Sequence, residues 1–246
     1  MESSSPLIVE RKDTILSLRL NNIEKRNALN SEMMGITTAA LENISDYSEI
    51  RAVVISGEGQ SFCSGADVKN WNPEELQSML SAIVNCSVPT IAVVHGFCFG
   101  GGMGLICSCD FILASSDSQF GFPEVRIGMV PAIISPYVNR KLDLNRMREL
   151  FITGEKFGVE KALGLGILYE AYEGSFSSSL QNLTSSITKG GPRAQYKIKE
   201  LLNGKILSST TRDADLTAFI DEIKQSSEGK EGISAFLEKR LPSWSD

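Results

Sequence analysis

The sequence predicts an α/β fold with a helical C-terminal region. Three observations carry this. Short β-branched runs alternate with helix-like stretches from Thr14 to Ala114, the pattern of βαβ crossovers. A dense glycine cluster, Gly96 to Gly104, stands between an apolar strand-like run and an apolar helix-like run. From about Leu144 onward the chain reads as mostly helical. The expected division is an α/β core over residues 1–190, holding any site, and a helical region over residues 191–246.

Each element has a local reason. Thr14-Ile15-Leu16-Ser17-Leu18-Arg19-Leu20 alternates with period two, as a half-buried strand does. Asn30-Ser31-Glu32 opens a helix to about Tyr47, with Asn30 or Ser31 able to cap it. Ala52-Val53-Val54-Ile55, ended by Ser56-Gly57, reads as a buried strand, and a polar loop from Glu58 to Lys69 follows. Pro73-Glu74-Glu75-Leu76 starts a helix with proline in its first turn. Thr90 to Val94 and Phe111 to Ala114 read as further buried strands. Gly190-Gly191-Pro192 ends one helix and begins another, and Ser227-Glu228-Gly229 separates two more between Asp215 and Lys239. Thr90 to Cys109 is uncharged and long enough for a bilayer. Its five glycines, three of them consecutive, weaken any continuous helix. A strand, a glycine turn and a buried helix fit it better.

Composition excludes several function classes. The 246 residues include 24 Lys+Arg and 30 Asp+Glu, a net charge of -6. That balance argues against a nucleic-acid or anionic-membrane surface. Basic groups such as Arg11-Lys12 and Lys197-Ile198-Lys199 read as solvated faces. One histidine, His95, excludes a two-histidine metal site within the chain. The five cysteines, Cys63, Cys86, Cys98, Cys107 and Cys109, contain no CxxC spacing. Neither a zinc site nor a disulfide framework is expected, and reduced thiols are. Met1 to Pro6 has no cationic stretch followed by an apolar run, so no signal peptide is read and a cytoplasmic protein is expected.

Three segments have the residue types for chemistry. Gly96 to Gly104 follows a strand and precedes a helix, yet fits neither GxGxxG nor a P-loop. Consecutive glycines let backbone approach a ligand, and N–H groups at a helix start are unsatisfied donors for developing negative charge. A tight turn packed on a neighbouring backbone is the competing reading. Ser61-Phe62-Cys63-Ser64-Gly65-Ala66-Asp67-Val68 lies after a strand, where loops line the crevice of an α/β sheet. Two such loops can each supply one N–H to a shared oxyanion. Ser64-Gly65 is not GxSxG, so a hydrolase using His95 as base is a weak alternative. Phe120-Gly121-Phe122-Pro123-Glu124-Val125-Arg126-Ile127-Gly128 sets a carboxylate among apolar residues. Desolvation there would raise its pKa and suit it to proton transfer. A Glu124–Arg126 packing pair is the alternative.

Together and in order, these segments resemble the crotonase family, the enoyl-CoA hydratase/isomerase superfamily. The resemblance rests on Lys25-Arg26-Asn27-Ala28-Leu29, Phe62 to Asp67, His95-Gly96 through Gly100-Gly101-Gly102, Cys109-Asp110 and Phe120 to Glu124. Ala235 to Arg240 with Pro242 is similar to the family's ending. The resemblance covers nearly the whole chain. It implies a crotonase-like spiral of ββα units, with the C-terminal helices packing on the core, on neighbouring subunits, or on both. It implies a homotrimer, often paired into a hexamer, and a substrate thioester on coenzyme A or an acyl carrier protein. No further cofactor and no metal are implied. The backbone N–H groups of Ala66 and Gly101 would grip the thioester oxygen. Arg26, Ala28, Asp67 and Val68 match positions that line the coenzyme A site, and Arg26 can pair with a phosphate.

The resemblance also implies a departure. Family hydratases carry two glutamates. One matches Glu124, and the other sits two residues beyond the third glycine, where this chain has Gly104. The gap is expected to make room for a bulkier acyl chain. Three readings follow: hydration or dehydration through Glu124 alone, double-bond isomerisation by the same glutamate, or a non-catalytic thioester binder or scaffold. Other crotonase chemistry, such as decarboxylation or thioester hydrolysis, stays open beside them. Val125-Arg126-Ile127-Gly128 and Pro131 to Pro136 are similar to members acting on branched or methylglutaconyl-type thioesters. Asn70 to Asn85 and Ala132 to Arg140 are expected to wall the acyl pocket, with Trp71 near it or in ordinary packing.

Overall fold

The computed structural model describes residues 5–44, 49–70, 72–204 and 213–245. Trp71 and the expected helix end at Tyr47 lie outside the described residues. A six-stranded sheet runs β1 (Leu7–Lys12), β2 (Ile15–Leu20), β3 (Ala52–Gly57), β4 (Thr90–Val94), β6 (Phe111–Ser115) and β9 (Glu170–Tyr172). β1 and β2 form an antiparallel hairpin, and every later pairing in this sheet is parallel. A smaller sheet holds β5 (Phe97–Phe99), β7 (Gln119–Gly121) and β8 (Lys156–Gly158). Isolated parallel bridges, Leu29 to Ala66 and Cys63 to Cys98, continue this second layer through the two earlier loops.

That is a spiral of ββα turns. Each turn lays a long strand in the large sheet and a short extended piece in the small layer, then returns by a helix. The returning helices are α1 (Ser31–Glu42), α2 (Pro73–Asn85) and α3 (Gly101–Ser108). Strand periodicity explains the two cores. Val53, Ile55, Ala92, Val94 and Ile112 face α1 to α3 and pack with Met33, Met79 and Met103. The alternate residues Ala52, Val54, Ile91, Val93 and Leu113 face α7 (Ser177–Thr188) and meet Leu183 and Ile187. A central strand buried on both faces reads as an unbroken apolar run.

Caps fix two helix starts. Asn30 accepts from the Met33 N–H at 2.8 Å, so Asn30 and not Ser31 caps α1. Asn72 accepts from the Glu74 N–H at 2.8 Å, with Pro73 in the first turn of α2. The remaining helices are α4 (Ser135–Val138), α5 (Leu144–Thr153), α6 (Val159–Gly164), α8 (Pro192–Leu202), α9 (Asp213–Gln225) and α10 (Ser227–Glu238). The region after Leu144 is not helical throughout, because β8 and β9 interrupt it. The uncharged stretch from Thr90 is strand, turn and helix, and no helix among the described residues is long and apolar enough to cross a membrane.

Two buried cations tie the later helices to the core. Arg51 Nη2 donates to Gly190 O at 2.5 Å, in the link between α7 and α8. Lys199 Nζ on α8 pairs with the Asp110 carboxylate and donates to Val88 O at 3.1 Å. Asp110 also accepts from the Thr90 N–H at 2.8 Å and the Thr90 hydroxyl at 3.0 Å.

Candidate active site

The small layer builds the site. Cys63 N–H donates to Phe97 O at 3.0 Å and Phe99 N–H donates to Cys63 O at 3.0 Å, so the Ser61–Val68 loop runs alongside β5. On its other side, Ser64 N–H donates to Arg26 O at 3.0 Å and Leu29 N–H to Gly65 O at 2.9 Å. β5 pairs with β7, and Gly100 N–H donates to Gly121 O at 3.1 Å. Glu124 stands three residues beyond Gly121, on a 3-10 turn over Pro123–Ile127. Sequence positions far apart thus become neighbours across adjacent extended segments.

Asn27 locks this layer. It is fully buried at φ +55°. Its amide donates to Glu58 O and Ser61 O, both at 2.8 Å, and its oxygen accepts from the Asn22 N–H at 2.9 Å. Buried polar groups satisfied this way hold loops rigidly.

Two backbone donors converge. In the parallel bridge to Leu29, residues 65 and 67 make the bonds, so the N–H of Ala66 faces the opposite way. Gly101 opens α3, where an N–H has no carbonyl four residues back. A Cβ on Gly101 would stand 3.2 Å from Ala66 N, and one on Gly65 would stand 3.8 Å from Gly101 N. A positive-φ glycine precedes each donor: Gly65 at +115° and Gly100 at +51°. Only glycine takes such angles cheaply. Ala66, Gly101 and Glu124 all line one cavity of about 240 Å³. Paired donors of this kind can stabilise negative charge on one oxygen.

Glu124 supplies the carboxylate. A Cβ on Gly100 would lie 3.1 Å from its Oε1, so glycine is what lets the carboxylate approach the donor loop. Its Oε2 is buried without a hydrogen-bond partner among the described residues. Burial pushes the Glu124 carboxyl above its ordinary value. The alternative of a Glu124–Arg126 pair is not realised, since Arg126 makes no ion pair among the described residues. Two residues apart on a three-residue turn, the side chains diverge.

Gly104 overturns one expectation. It opens no space for an acyl chain, because Ile134 fills the place. A Cβ on Gly104 would overlap Ile134 Cγ2 and stand 2.8 Å from Ile134 Cβ and 3.4 Å from Leu80 Cδ1. The pocket wall is also corrected. Of Asn70 to Asn85, Leu76 lines the cavity, and of Ala132 to Arg140, only Ala132, Ile133 and Ile134 do. Pro123, Arg126, Ile127, Met129, Val130 and Pro131 also line it, in a segment whose irregular spacing carries no periodic signal.

The remaining candidates divide. Val68 is 68 % exposed and lines the cavity rim. Arg26, Ala28 and Asp67 border the donor loop without lining the cavity. Arg26 is exposed with φ +51°. Asp67 pairs with Lys25 Nζ at 2.7 Å, and that hydrogen bond holds its carboxyl below the usual range. Sequence reasoning left Lys25 without a role. Ser64 Oγ donates to Lys25 O while His95 Nε2 meets Gly59 O at 3.0 Å, so no Ser–His pair forms. The five cysteines are buried free thiols, and no metal-ligating cluster occurs among the described residues.

Known proteins are similar to this chain in sequence and fold. A probable enoyl-CoA hydratase of Rhodobacter capsulatus is 29 % identical over 246 residues, covering 95 % of each chain. The mevalonyl-coenzyme A hydratase sidH of Aspergillus fumigatus is 28 % identical over 250 residues, covering 94 % of this chain and 91 % of its own. Among solved structures, Pseudomonas aeruginosa AtuE superposes with a TM-score of 0.91 at 30 % identity, covering 98 % of this chain and all 100 % of its own. An enoyl-CoA hydratase/isomerase from Marinobacter aquaeolei gives a TM-score of 0.90 at 27 % identity, with 99 % of this chain and 100 % of its own covered. The family model described as enoyl-CoA hydratase/isomerase matches residues 10–246, and the chain belongs to that family, with the crotonase fold.

Proposed function

We propose that the protein hydrates an enoyl thioester, and dehydrates the product in reverse, with Glu124 as the single acid/base. The observation that carries this is the half-buried Glu124 carboxylate, with its unpartnered Oε2, lining one cavity with the Ala66 and Gly101 donors. Relatives named as enoyl-CoA hydratases at 29 % identity support the same reading. In the step, Glu124 takes a proton from water as hydroxide adds to the β-carbon. The C=C electron pair shifts onto the thioester oxygen, held by the two N–H groups. Glu124 then returns the proton to the α-carbon as the carbonyl re-forms. One water is consumed, and both new atoms arrive on the carboxylate's face, so the addition is syn. Arg26, Ala28, Asp67 and Val68 form the coenzyme A side in this proposal, and the assembly is the family's trimer or hexamer.

One observation favours a second reading. Because Ile134 packs against Gly104, Glu124 is the one carboxylate among the described residues that line the cavity. Isomerisation needs only one: Glu124 would lift a proton from the α-carbon of a 3-enoyl thioester and return it to the γ-carbon. Purified protein with 2-enoyl and 3-enoyl thioesters of equal length separates the two. Loss of the conjugated-thioester absorbance on the first is hydration. Its gain on the second is isomerisation. Binding without turnover of either is the non-catalytic reading.

A further inference from the structure

We propose that the chain carries a second ligand site, a cavity beside α8 that takes a free medium-chain carboxylate. The cavity holds about 490 Å³, within the usual size of small-molecule pockets. It shares no lining residue with the Glu124 cavity. The two lie at opposite ends of α3: Gly101 lines the first, and Cys109 and Asp110 line the second.

One edge of this cavity is cationic. Arg140, Lys141 and Lys199 line it with a single carboxylate, Asp110, an excess of two positive charges in a chain of net charge -6. Asp110 is already engaged, by Lys199 and by the Thr90 N–H and hydroxyl. Lys141 Nζ donates to Asp110 O at 3.0 Å, and Arg140 Nη2 donates to Asn203 Oδ1 at 2.6 Å. Asn203 is one helical turn beyond Lys199, so the three cationic ends follow one line from Asp110 along α8. Neither Arg140 nor Lys141 meets a carboxylate among the described residues. The other edge is apolar. Phe111 lies on it, with Ile198 and Leu202 of α8, which are 52 % and 65 % exposed.

These two edges select the ligand class. An inorganic anion answers the cations and leaves the apolar edge in water. A neutral chain covers that edge and strips water from cations without replacing it, which is unfavourable. A carboxylate with a hydrocarbon chain does both, through charge-assisted hydrogen bonds at one end and apolar burial along the other.

Calorimetry with octanoate, octanamide and inorganic phosphate tests this without turnover. Wild type is expected to bind octanoate at least about tenfold more tightly than either of the others. Arg140→Met with Lys141→Met is expected to lose that preference. Ile198→Glu, a change at an exposed position that sets an anion on the apolar edge, is expected to weaken octanoate about tenfold or more. Ala132→Trp, which narrows the Glu124 cavity instead, is expected to leave octanoate affinity unchanged. Equal binding of octanoate and octanamide overturns the proposal, as does phosphate binding as tightly as octanoate. Loss of octanoate in Ala132→Trp but not in Ile198→Glu places the acid in the Glu124 cavity and overturns it too. So does the absence of octanoate binding to wild type. None of these outcomes bears on the thioester reading of Glu124, because the two cavities share no residue.

Discussion

Gly104 and Ile134 share one volume. A Cβ on Gly104 would overlap Ile134 Cγ2, 30 positions along the chain, and stand 2.8 Å from Ile134 Cβ. The place where the family resemblance puts a second carboxylate is therefore filled by the Ile134 side chain, part of the cavity wall. Gly104→Ala is expected to lose about 1–3 kcal/mol of stability by overpacking, despite alanine's better helix propensity. Ile134→Ala removes the overlapping methyl, so the double variant should be more stable than the sum of the singles. Urea unfolding of the four proteins measures that coupling. Strict additivity would mean that the two residues do not compete.

Glu124→Gln keeps the shape and removes the base. Loss of about 10²–10⁴-fold in kcat is expected, with binding of a saturated thioester retained. The sign of the pH effect follows from burial, which raises the carboxyl's pKa. Hydration needs the ionised form, so activity should fall with acid at a higher pH than an ordinary glutamate would set.

The same shift predicts a stability change. The native state binds this proton more tightly than the unfolded chain does. The ionised group therefore destabilises the fold above its native pKa, and that penalty vanishes below the unfolded value. Thermal unfolding at neutral pH should show Glu124→Gln more stable than wild type, with the gap closing in acid. A less stable variant at neutral pH would contradict the burial argument.

Gly100→Ala tests the donor geometry. Gly100 holds φ +51° and ψ -116°, outside the range of alanine, and a Cβ would crowd Glu124 Oε1 at 3.1 Å. Reorienting the Gly101 N–H is expected to cost about 10²–10³-fold in kcat. Stopped-flow or steady-state kinetics with saturating substrate would show it, with KM changing less.

Lys199→Met tests the tie between α8 and the core. Lys199 is only 8 % exposed, and its loss leaves the Asp110 carboxylate with the Thr90 donors alone among the described residues. A cost toward the lower end of about 3–5 kcal/mol is expected, because Asp110 keeps some water contact. Lys199→Met with Asp110→Asn should recover part of it in the same chemical denaturation assay.

Much of the fold was legible locally. The long strands β2, β3, β4 and β6 announce themselves by alternation or by β-branched runs, and Asn30, Asn72 and Pro73 mark helix starts. The three-residue strands β5, β7, β8 and β9 did not, because three residues are too few to show a period. β1 was missed because most of its residues are exposed at a sheet edge. At the site, Gly65-Ala66, Gly100-Gly101 and Glu124 were readable as motifs. Lys25 against Asp67, the apolar wall from Ile127 to Pro131 and the filling of the Gly104 gap were not.

The sequence by itself determined the family, the glycine positions that allow two backbone donors, and the one carboxylate. Those depend on residue type and short spacing, which a chain carries in its order. Only the tertiary structure decided what surrounds them: Ile134 in the space beside Gly104, a cavity walled by a loop without periodicity, and Arg126 exposed at its rim. These are contacts between segments far apart in sequence, and shape complementarity at such contacts is set by packing, not by local pattern.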